Sequence, residues 1–333
     1  MTPRKKWEGT GYNVAPMLTI LAITFPFFAL VLCGFLAVRR GMLPMAAIPG
    51  LNGFVLYFAL PCMLYRFGAN TPLAQLLDVG VFSVYLVCAL IMVGVTMAMT
   101  LSHRIDWNNA AFGSLVAAFP NTGFMGMPLL LALLGPRSSG PVIVTIVVDM
   151  LITSSLCIAL SRVGSGGPHG GRDAFFNALK GMLGNPMPWA IVLGALMSWL
   201  GLVLFKPLTQ TVGLLADAAS PVALFTIGAV LARSQMNSAD KAPLGEYVPV
   251  ALKKLVLHPL LVFGAGHAAI ALGLPLDPFA LTVIVLVACL PSASNVSLLS
   301  ERFGANTGRI ARIILVSTAL SFLSFSAAVL WLT

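Results

Sequence analysis

The sequence predicts an all-α membrane protein whose ten transmembrane helices form two five-helix repeats of inverted orientation. Of its 333 residues, 59% are hydrophobic and only 9% are charged, whereas soluble domains average about 25% charged residues. Its apolar runs approach the ~20 residues that cross a bilayer as a helix, and they lack the alternating segments of roughly 10 residues that form barrel strands. Prolines and glycines also recur at a constant separation, which indicates an internal repeat.

We predict ten spans joined by short loops. They cover residues 16–38, 50–66, 77–99, 110–134, 141–162, 187–205, 213–233, 250–272, 279–301 and 307–332. The longest loop, 163–185, contains the flexible stretch "GSGGPHGGRD" and is interpreted as a cytoplasmic linker. It separates a first five-helix repeat at 17–162 from a second at 186–333, and a polar extension at 1–16 precedes both.

The internal repeat is visible in residues that break or tighten helices. Three pairs are separated by 160 residues: Pro26 and Pro186, Gly34 and Gly194, and Pro61 and Pro221. Pro120 and Pro291 form a fourth pair at a separation of 171. Chance is the alternative, since the chain has 22 prolines. Five helices per half is an odd number, so the second half would enter the membrane upside down, as in many secondary transporters.

The distribution of Lys and Arg predicts the orientation, because basic residues concentrate on the cytoplasmic side. Thirteen of the 19 fall on one side of the predicted spans and six on the other. Both termini are therefore expected to be periplasmic. The net charge of +9 is attributed to these loops and not to nucleic-acid binding. If the protein starts at Met17, Arg4, Lys5 and Lys6 are absent, and the Lys and Arg residues divide into 13 on the cytoplasmic side and 3 on the other. Both starting residues are retained as alternatives.

The fourth and ninth spans carry residues that interrupt a helix. "AAFPNTGFMGMPLL" contains Pro120 and "ACLPSASNVS" contains Pro291, and each proline removes a backbone donor. Freed backbone groups are tolerated at membrane depth only inside protein or beside a wet cavity. We therefore predict a substrate site at the two breaks, formed by Pro120, Asn121, Thr122, Gly123, Pro291, Ser292, Ala293, Ser294 and Asn295.

The same breaks indicate the charge of the ligand. Each half-helix that begins after a proline directs its positive N-terminal end at the break, which favours an anionic group. The opposing C-terminal ends would equally hold Na⁺. Proline kinks also occur in membrane helices that bind no ligand, and this is the structural alternative.

Ionisable residues inside apolar spans are expensive and mark ion pathways. Asp217, four residues before Pro221, is the first candidate for carrying a coupling ion, and Asp149 and His258 are the others. The alternatives are a solvated helix end for Asp217, a helix-packing hydrogen bond for Asp149 and a structural role for His258 and His267. The five cysteines lie in apolar runs, and the chain has no CxxC or HExxH motif. Neither a metal site nor a cofactor is therefore expected.

Six segments of the chain resemble the auxin efflux carrier family of transporters, which includes bacterial malonate-type carriers and plant auxin exporters. The resemblance is carried by "ILAITFPFFALVLCGFLAVRRGML", "LNGFVLYFALPCMLYRF", "AAFPNTGFMGMPLL", "ADAASPVALFTIGAVLA", "LKKLVLHPLLVF" and "ACLPSASNVSLLSERFG". It implies an NhaA-like fold with a scaffold and a transport domain, in which broken helices 4 and 9 cross at Pro120 and Pro291. It also places Asn121 at the family's substrate-contacting asparagine. The long hydrophilic loop of the plant members is absent, as in the bacterial branch.

The sequence is thus interpreted as a secondary transporter that moves a small organic anion, such as a malonate-like dicarboxylate, across a bacterial inner membrane by alternating access. Its expected partners are this anion and the lipid bilayer, with a homodimer as one option. Coupling to H⁺, coupling to Na⁺ and facilitative transport all stay open. Two alternatives are retained: a cation/proton antiporter on the same fold, and an integral membrane enzyme, for which the chain shows no nucleophile–base pair.

Overall fold

The computed structural model describes residues 16–72, 77–163, 186–236 and 243–333, and this part of the chain is helical without a named strand. The helices are α1 (Pro16–Arg39), α2 (Met45–Asn70), α3 (Val79–Thr100), α4 (Trp107–Ala118), α5 (Thr122–Leu134), α6 (Pro136–Val163), α7 (Pro186–Trp199), α8 (Lys206–Met236), α9 (Leu244–Ala271), α10 (Pro278–Cys289), α11 (Asn295–Arg302) and α12 (Thr307–Leu332). The predicted N-terminal extension up to residue 15 and the predicted linker beyond Val163 lie outside the described residues.

The helices have the lengths that a membrane requires. Among the described residues, seven helices are long and apolar enough to cross a membrane, namely α1, α2, α3, α6, α8, α9 and α12, and α5, α7 and α10 are shorter apolar helices. Each predicted span contains at least one of them. Helices α2, α8 and α9 begin several residues before the predicted limits, because hydropathy locates the apolar centre whereas helical hydrogen bonding continues into polar ends.

Acidic side chains fix where several helices begin. Asp78 accepts a hydrogen bond from the amide of Val81 at the start of α3, and Asp106 accepts one from Asn109 at the start of α4. Asp277 accepts a hydrogen bond from the amide of Phe279 at the start of α10. An N-cap carboxylate satisfies an amide that has no partner within the helix. These three residues are therefore explained by the local structure of helix ends.

Glycines bring α1 and α8 into backbone contact. A Cβ atom at Gly34 would collide with the carbonyl of Phe225, and one at Gly228 would collide with the carbonyl of Val31. Beyond this crossing, Arg39 of α1 donates a hydrogen bond to Gln235 of α8. Both residues follow the crossing in sequence, so α1 and α8 run in the same direction.

A second crossing of the same kind joins α2 and α7. A Cβ atom at Gly68 would lie 2.8 Å from the carbonyl oxygen of Ile191, and one at Gly194 would collide with the carbonyl of Tyr65. Every one of these four residues is 160 positions from a residue of the first crossing. The α1–α8 crossing and the α2–α7 crossing thus use equivalent glycines against equivalent carbonyls.

Contacts away from the crossings show the relative directions of two more helix pairs, α2 with α7 and α2 with α8. Leu64 of α2 and Met187 of α7 line one cleft, and both precede the α2–α7 crossing, so these helices are parallel. Arg66 of α2 pairs with Asp217 near the start of α8, whereas Asn52 lines a cleft with residues near the end of α8. Helices α2 and α8 are therefore antiparallel.

Candidate functional site

The first helix break lies between α4 and α5. The backbone leaves helical geometry at Phe119 (φ −96°, ψ 104°), and Asn121 has φ −76° and ψ 54°. Pro120 between them has no amide to continue the helix. A π-helical turn at Thr122–Gly126 then resumes the chain as α5. Asn121 and Thr122 are both buried.

The second helix break lies between Cys289, the last residue of α10, and Asn295, the first residue of α11. Its centre is Pro291. The amide of Ser292 donates a hydrogen bond of 3.2 Å to the hydroxyl oxygen of Ser317 in α12. A side chain of a neighbouring helix therefore satisfies a donor that the break sets free, as the bilayer environment demands.

The structure brings the two breaks together through backbone hydrogen bonds. The amide of Asn121 donates to the carbonyl oxygen of Pro291 at 2.8 Å, and the amide of Ala293 donates to that of Phe119 at 2.9 Å. Pro120 and Ser292 face each other as an antiparallel bridge. The pairing restores hydrogen bonds that each broken helix lost and joins all the predicted substrate-site segments at one place.

Polar groups at the pairing are left without partners. The Ser292 hydroxyl oxygen and the Asn295 side-chain oxygen are buried and make no hydrogen bond within the described residues. Most buried polar atoms in proteins have a partner. Such groups next to two helix starts are available to a polar ligand or to water.

Two clefts meet at this pairing. One is lined by Asn121, Thr122 and Gly123 together with apolar side chains of α2, α6 and α7. The other is lined by Ser294 and Ser297 with residues of α2 and α8. Phe124 and Asn295 belong to both linings. The paired breaks therefore separate two clefts, each of which is walled by α2.

Asp149 lies in a π-helical turn of α6 and is fully buried. Its carboxylate accepts a hydrogen bond of 2.9 Å from the hydroxyl of Tyr85 in α3 and one of 3.4 Å from the hydroxyl of Thr153. The sequence identified Asp149 as an intramembrane ionisable residue. It gave no indication of Tyr85, whose only sequence feature is a hydroxyl within an apolar run.

Lys254 is a functional candidate that the sequence prediction missed. It lies inside the predicted span 250–272 but was counted with the cytoplasmic charges, whereas in the structure it lies well within α9, which begins at Leu244, and is fully buried. Its ammonium donates 2.6 Å to the carbonyl oxygen of Ala288 and lies 3.2 Å from Nδ1 of His258. Spacing of four residues in "KKLVLHP" places Lys254 and His258 on one helix face, and this was the available signal.

Comparison with known proteins identifies the family. Residues 19–168 and 173–329 match the family described as "Membrane transport protein". The chain belongs to this family. It is 29% identical to a "Putative malonate transporter" of Rhizobium meliloti (strain 1021), over 92% of this chain and 93% of that protein. It is 26% identical to the "Uncharacterized transporter YfdV" of Escherichia coli (strain K12), over 92% and 95% of the two chains.

A plant relative is similar over a shorter region. The chain is 28% identical to "Auxin efflux carrier component 3a" of Oryza sativa subsp. japonica, over 43% of this chain and 24% of the plant protein. The predicted resemblance to the auxin efflux carriers is confirmed. This membrane transport protein is a multi-pass membrane transporter and not an enzyme.

Two predicted ionisable residues of this transporter lie away from the paired breaks. Asp217 forms an ion pair of 2.6 Å with Arg66, and its side chain is 69% exposed. Helix α8 continues without interruption through the neighbouring Pro221. His267 is exposed and contacts the carbonyl oxygen of Phe263. The structure therefore groups Asp149 and His258 with Lys254, and it groups neither Asp217 nor His267 with them.

Proposed function

We propose that the protein is a secondary transporter that moves a small organic anion, a malonate-like dicarboxylate, across the bacterial inner membrane by alternating access. The observation that carries this proposal is the hydrogen-bonded pairing of two helix breaks beside buried polar groups without partners. Helices α5 and α11 begin at the pairing, and their positive ends favour a carboxylate. The name of the Rhizobium relative supports a malonate-like substrate.

In this proposal the carboxylate lies at the paired breaks. Asn121 and Thr122 supply polar contacts on the cleft side that faces α6 and α7, and Ser294 and Asn295 supply them toward α8. The buried Ser292 hydroxyl at the pairing has no partner in the described residues. A carboxylate accepts hydrogen bonds, so hydroxyl, amide and backbone N–H groups suit it without a full positive charge. Pro120 and Pro291 keep these groups free of helical hydrogen bonds.

The proposed architecture is a pair of inverted five-helix repeats, at 17–162 and 186–333. Two observations support it. The glycine crossings α1–α8 and α2–α7 are related by the 160-residue offset. Helix α7 corresponds to α1 under this offset. Helix α7 is parallel to α2, whereas α1 is antiparallel to α2, since α1 is parallel to α8 and α2 is antiparallel to α8. Equivalent helices of the two halves therefore point in opposite directions, as an inverted repeat requires.

The proposed motion follows from the packing. Helices α1, α2, α7 and α8 are held by backbone contacts at two glycine crossings and would act as a rigid scaffold. The breaks and their supporting helices, α3–α6 and α9–α12, would rock against this scaffold and open the two clefts in turn. The excess of Lys and Arg on one side supports a cytoplasmic assignment for that side, with both termini periplasmic.

Exchange of malonate across liposomes that contain the purified protein tests the proposal. Vesicles are loaded with unlabelled malonate, and uptake of labelled malonate is measured without an ion gradient. We expect exchange by the wild type and a loss of about tenfold or more in Asn121→Ala, because a hydrogen bond to a charged group contributes about 1.5–3 kcal/mol. Ser114→Ala, one turn before the same break, is the matched control, since its hydroxyl bonds only within and beside α4.

Two results would contradict parts of the proposal. Absence of exchange for malonate and for a panel of small mono- and dicarboxylates would exclude an organic anion as substrate. Unchanged exchange by a correctly inserted Asn121→Ala variant would exclude this residue from the site. The second candidate is cation/proton antiport, which the buried Asp149 carboxylate favours, and it predicts that added Na⁺ or K⁺ dissipates a pH gradient without any organic anion.

A further inference from the structure

Four ionisable side chains from three helices form one buried cluster, which we call the α3–α6–α9 cluster: Tyr85, Asp149, Lys254 and His258. All four are fully buried. Tyr85 donates a hydrogen bond to Asp149, the rings of Tyr85 and His258 lie 5.9 Å apart, and the Lys254 ammonium lies 3.2 Å from Nδ1 of His258. Both charged residues lie in π-helical turns, Val148–Thr153 and Lys253–Leu257. Such turns are frequent at functional sites.

This cluster is joined directly to the second helix break. In an unbroken helix the carbonyl of Ala288 would accept a hydrogen bond from the amide of Ser292, but that amide bonds to Ser317. Lys254 supplies the missing donor at 2.6 Å. A cation at the C-terminal end of α10 also suits the negative end of its dipole. The charge of the cluster and the geometry of the substrate site are therefore coupled through one carbonyl.

The arrangement distinguishes between the two coupling ions that the sequence left open. A Na⁺ ion would need several oxygen atoms around it, whereas Asp149 supplies the one carboxylate that the described residues place in this cluster. A proton binds a single oxygen atom. The Asp149 carboxylate accepts only two hydrogen bonds, and Nε2 of His258 is buried without a partner in the described part of the chain. The Asp149 carboxylate therefore has open acceptor positions, and Nε2 of His258, which carries the imidazole proton when Nδ1 accepts from Lys254, is an unpaired donor.

We propose that the α3–α6–α9 cluster binds the coupling proton, so that the transporter moves an organic anion together with H⁺ and independently of Na⁺. This inference rests on the proposed function and names its coupling ion. A proton from water on one side binds the Asp149 carboxylate while Lys254 stays protonated. The cluster then carries one positive charge, which offsets one of the two negative charges of the dicarboxylate at the adjacent breaks. After the rocking motion the anion and the proton both leave on the other side, and the cluster returns to a neutral pair.

Buried thiols lie on the helices that carry or contact this cluster, namely Cys88 of α3, Cys157 of α6 and Cys289 of α10. The buried Arg309 of α12 contacts α9 near its start, at the carbonyl oxygen of Glu246. Helix α4, which packs on α6, has no titratable side chain. Asp149 is thus the acidic carboxyl of the cluster, and the proton equilibrium is set by it together with Lys254 and His258.

The experiment compares driven accumulation with exchange in the same liposomes. A one-unit pH gradient supports about tenfold accumulation of labelled malonate for each coupled proton. We expect the wild type to accumulate malonate in response to this gradient and to show no added response to a Na⁺ gradient. Asp149→Asn should reduce the pH-driven accumulation far more than it reduces exchange, since a side-chain amide does not take up a proton in this pH range. Glu301→Gln, an exposed carboxyl at the end of α11, is the matched control.

Distinct results would overturn the inference. Exchange without any response to the pH gradient, or accumulation driven by Na⁺ alone, would exclude the proton site while leaving the anion carrier intact. Loss of gradient response in Asp217→Asn but not in Asp149→Asn would assign the proton to the other carboxyl. If the wild type exchanges no carboxylate, both the proposed function and this inference fail.

A second variant keeps the test decisive if Asp149→Asn does not fold. Tyr85→Phe removes one hydrogen bond to the carboxylate and preserves the ring. A carboxylate that loses a donor binds protons more readily. We therefore expect the pH of half-maximal uptake to move upward, and an unchanged pH profile would contradict the inference.

Discussion

The glycine crossings and the paired breaks are two regions where helix backbones touch, and they differ in what happens to the hydrogen bonds. At the crossings, Gly34 and Gly194 allow contact while each helix keeps its own ladder. At the breaks, Asn121 and Ala293 bond to the opposite chain. The first arrangement gives an apolar, rigid contact. The second exposes polar groups at membrane depth. Close approach of two helices therefore does not by itself create a candidate substrate site. Polar groups become available where the two backbones exchange hydrogen-bond partners.

The largest expected effect concerns the crossings. Gly34→Ala or Gly194→Ala places a Cβ atom against a backbone carbonyl that cannot move without separating two helices. We expect the free energy of unfolding to fall by about 3 kcal/mol, the upper end of overpacking effects. Thermal unfolding in detergent measures this.

Gly94→Ala in α3 is the control for that prediction. A Cβ atom at Gly94 meets nothing within 4 Å. Alanine is the better helix former, so the variant should unfold at the same temperature or higher. Equal loss of stability at Gly94 and Gly34 would show that the crossings are not special contacts.

An intermediate effect is expected at the breaks. Ser317→Ala removes the acceptor of the Ser292 amide. A buried donor without a partner costs about 1–3 kcal/mol, so we expect a loss of stability in this range together with slower malonate exchange.

Ser321→Ala, one turn along α12, is the matched variant because, among the described residues, its buried hydroxyl donates to the carbonyl oxygen of Thr318 in the same helix and not to the break. Thermal unfolding and exchange are measured for both variants. If Ser321→Ala slows malonate exchange as strongly as Ser317→Ala, exchange does not depend on the hydrogen bond from the Ser292 amide to Ser317.

The smallest effect is expected outside both regions, at the ion pair of Arg66 and Asp217. The two side chains are 35% and 69% exposed, so water and salt screen their attraction. A double-mutant cycle with Arg66→Gln and Asp217→Asn should give a coupling below about 1 kcal/mol. A larger value that persists in high salt would indicate that this pair belongs to the packed structure.

Much of the fold was predictable because the bilayer imposes strong rules on sequence. Apolar runs located a helix in each of the ten predicted spans, and Pro120 and Pro291 located both breaks. Helix ends were less accurate, since polar ends such as Lys206 extend α8 beyond its apolar part. Burial was also misjudged for Lys254, which lies inside the predicted span 250–272 but was counted with the cytoplasmic charges, because the sequence does not show which face of α9 packs into the core.

The ranking of the ionisable residues could not be predicted. Asp149 and Asp217 both occur in apolar segments with little to separate them in the sequence. Burial and hydrogen bonding differ completely in the structure, where Asp149 contacts Tyr85 and Asp217 is an exposed partner of Arg66. Which face of a helix meets which neighbour depends on contacts between residues far apart in the chain.

The sequence by itself determined the membrane class, the position of the two breaks and the 160-residue spacing, because each depends on local composition and on residues that forbid helical hydrogen bonds. The family resemblance led us to expect the breaks to cross, but tertiary structure alone decided that they pair through backbone hydrogen bonds and that Lys254 replaces the amide of Ser292 at Ala288. Both facts arise from the same requirement, that a backbone group freed inside a membrane protein must find its partner on another helix.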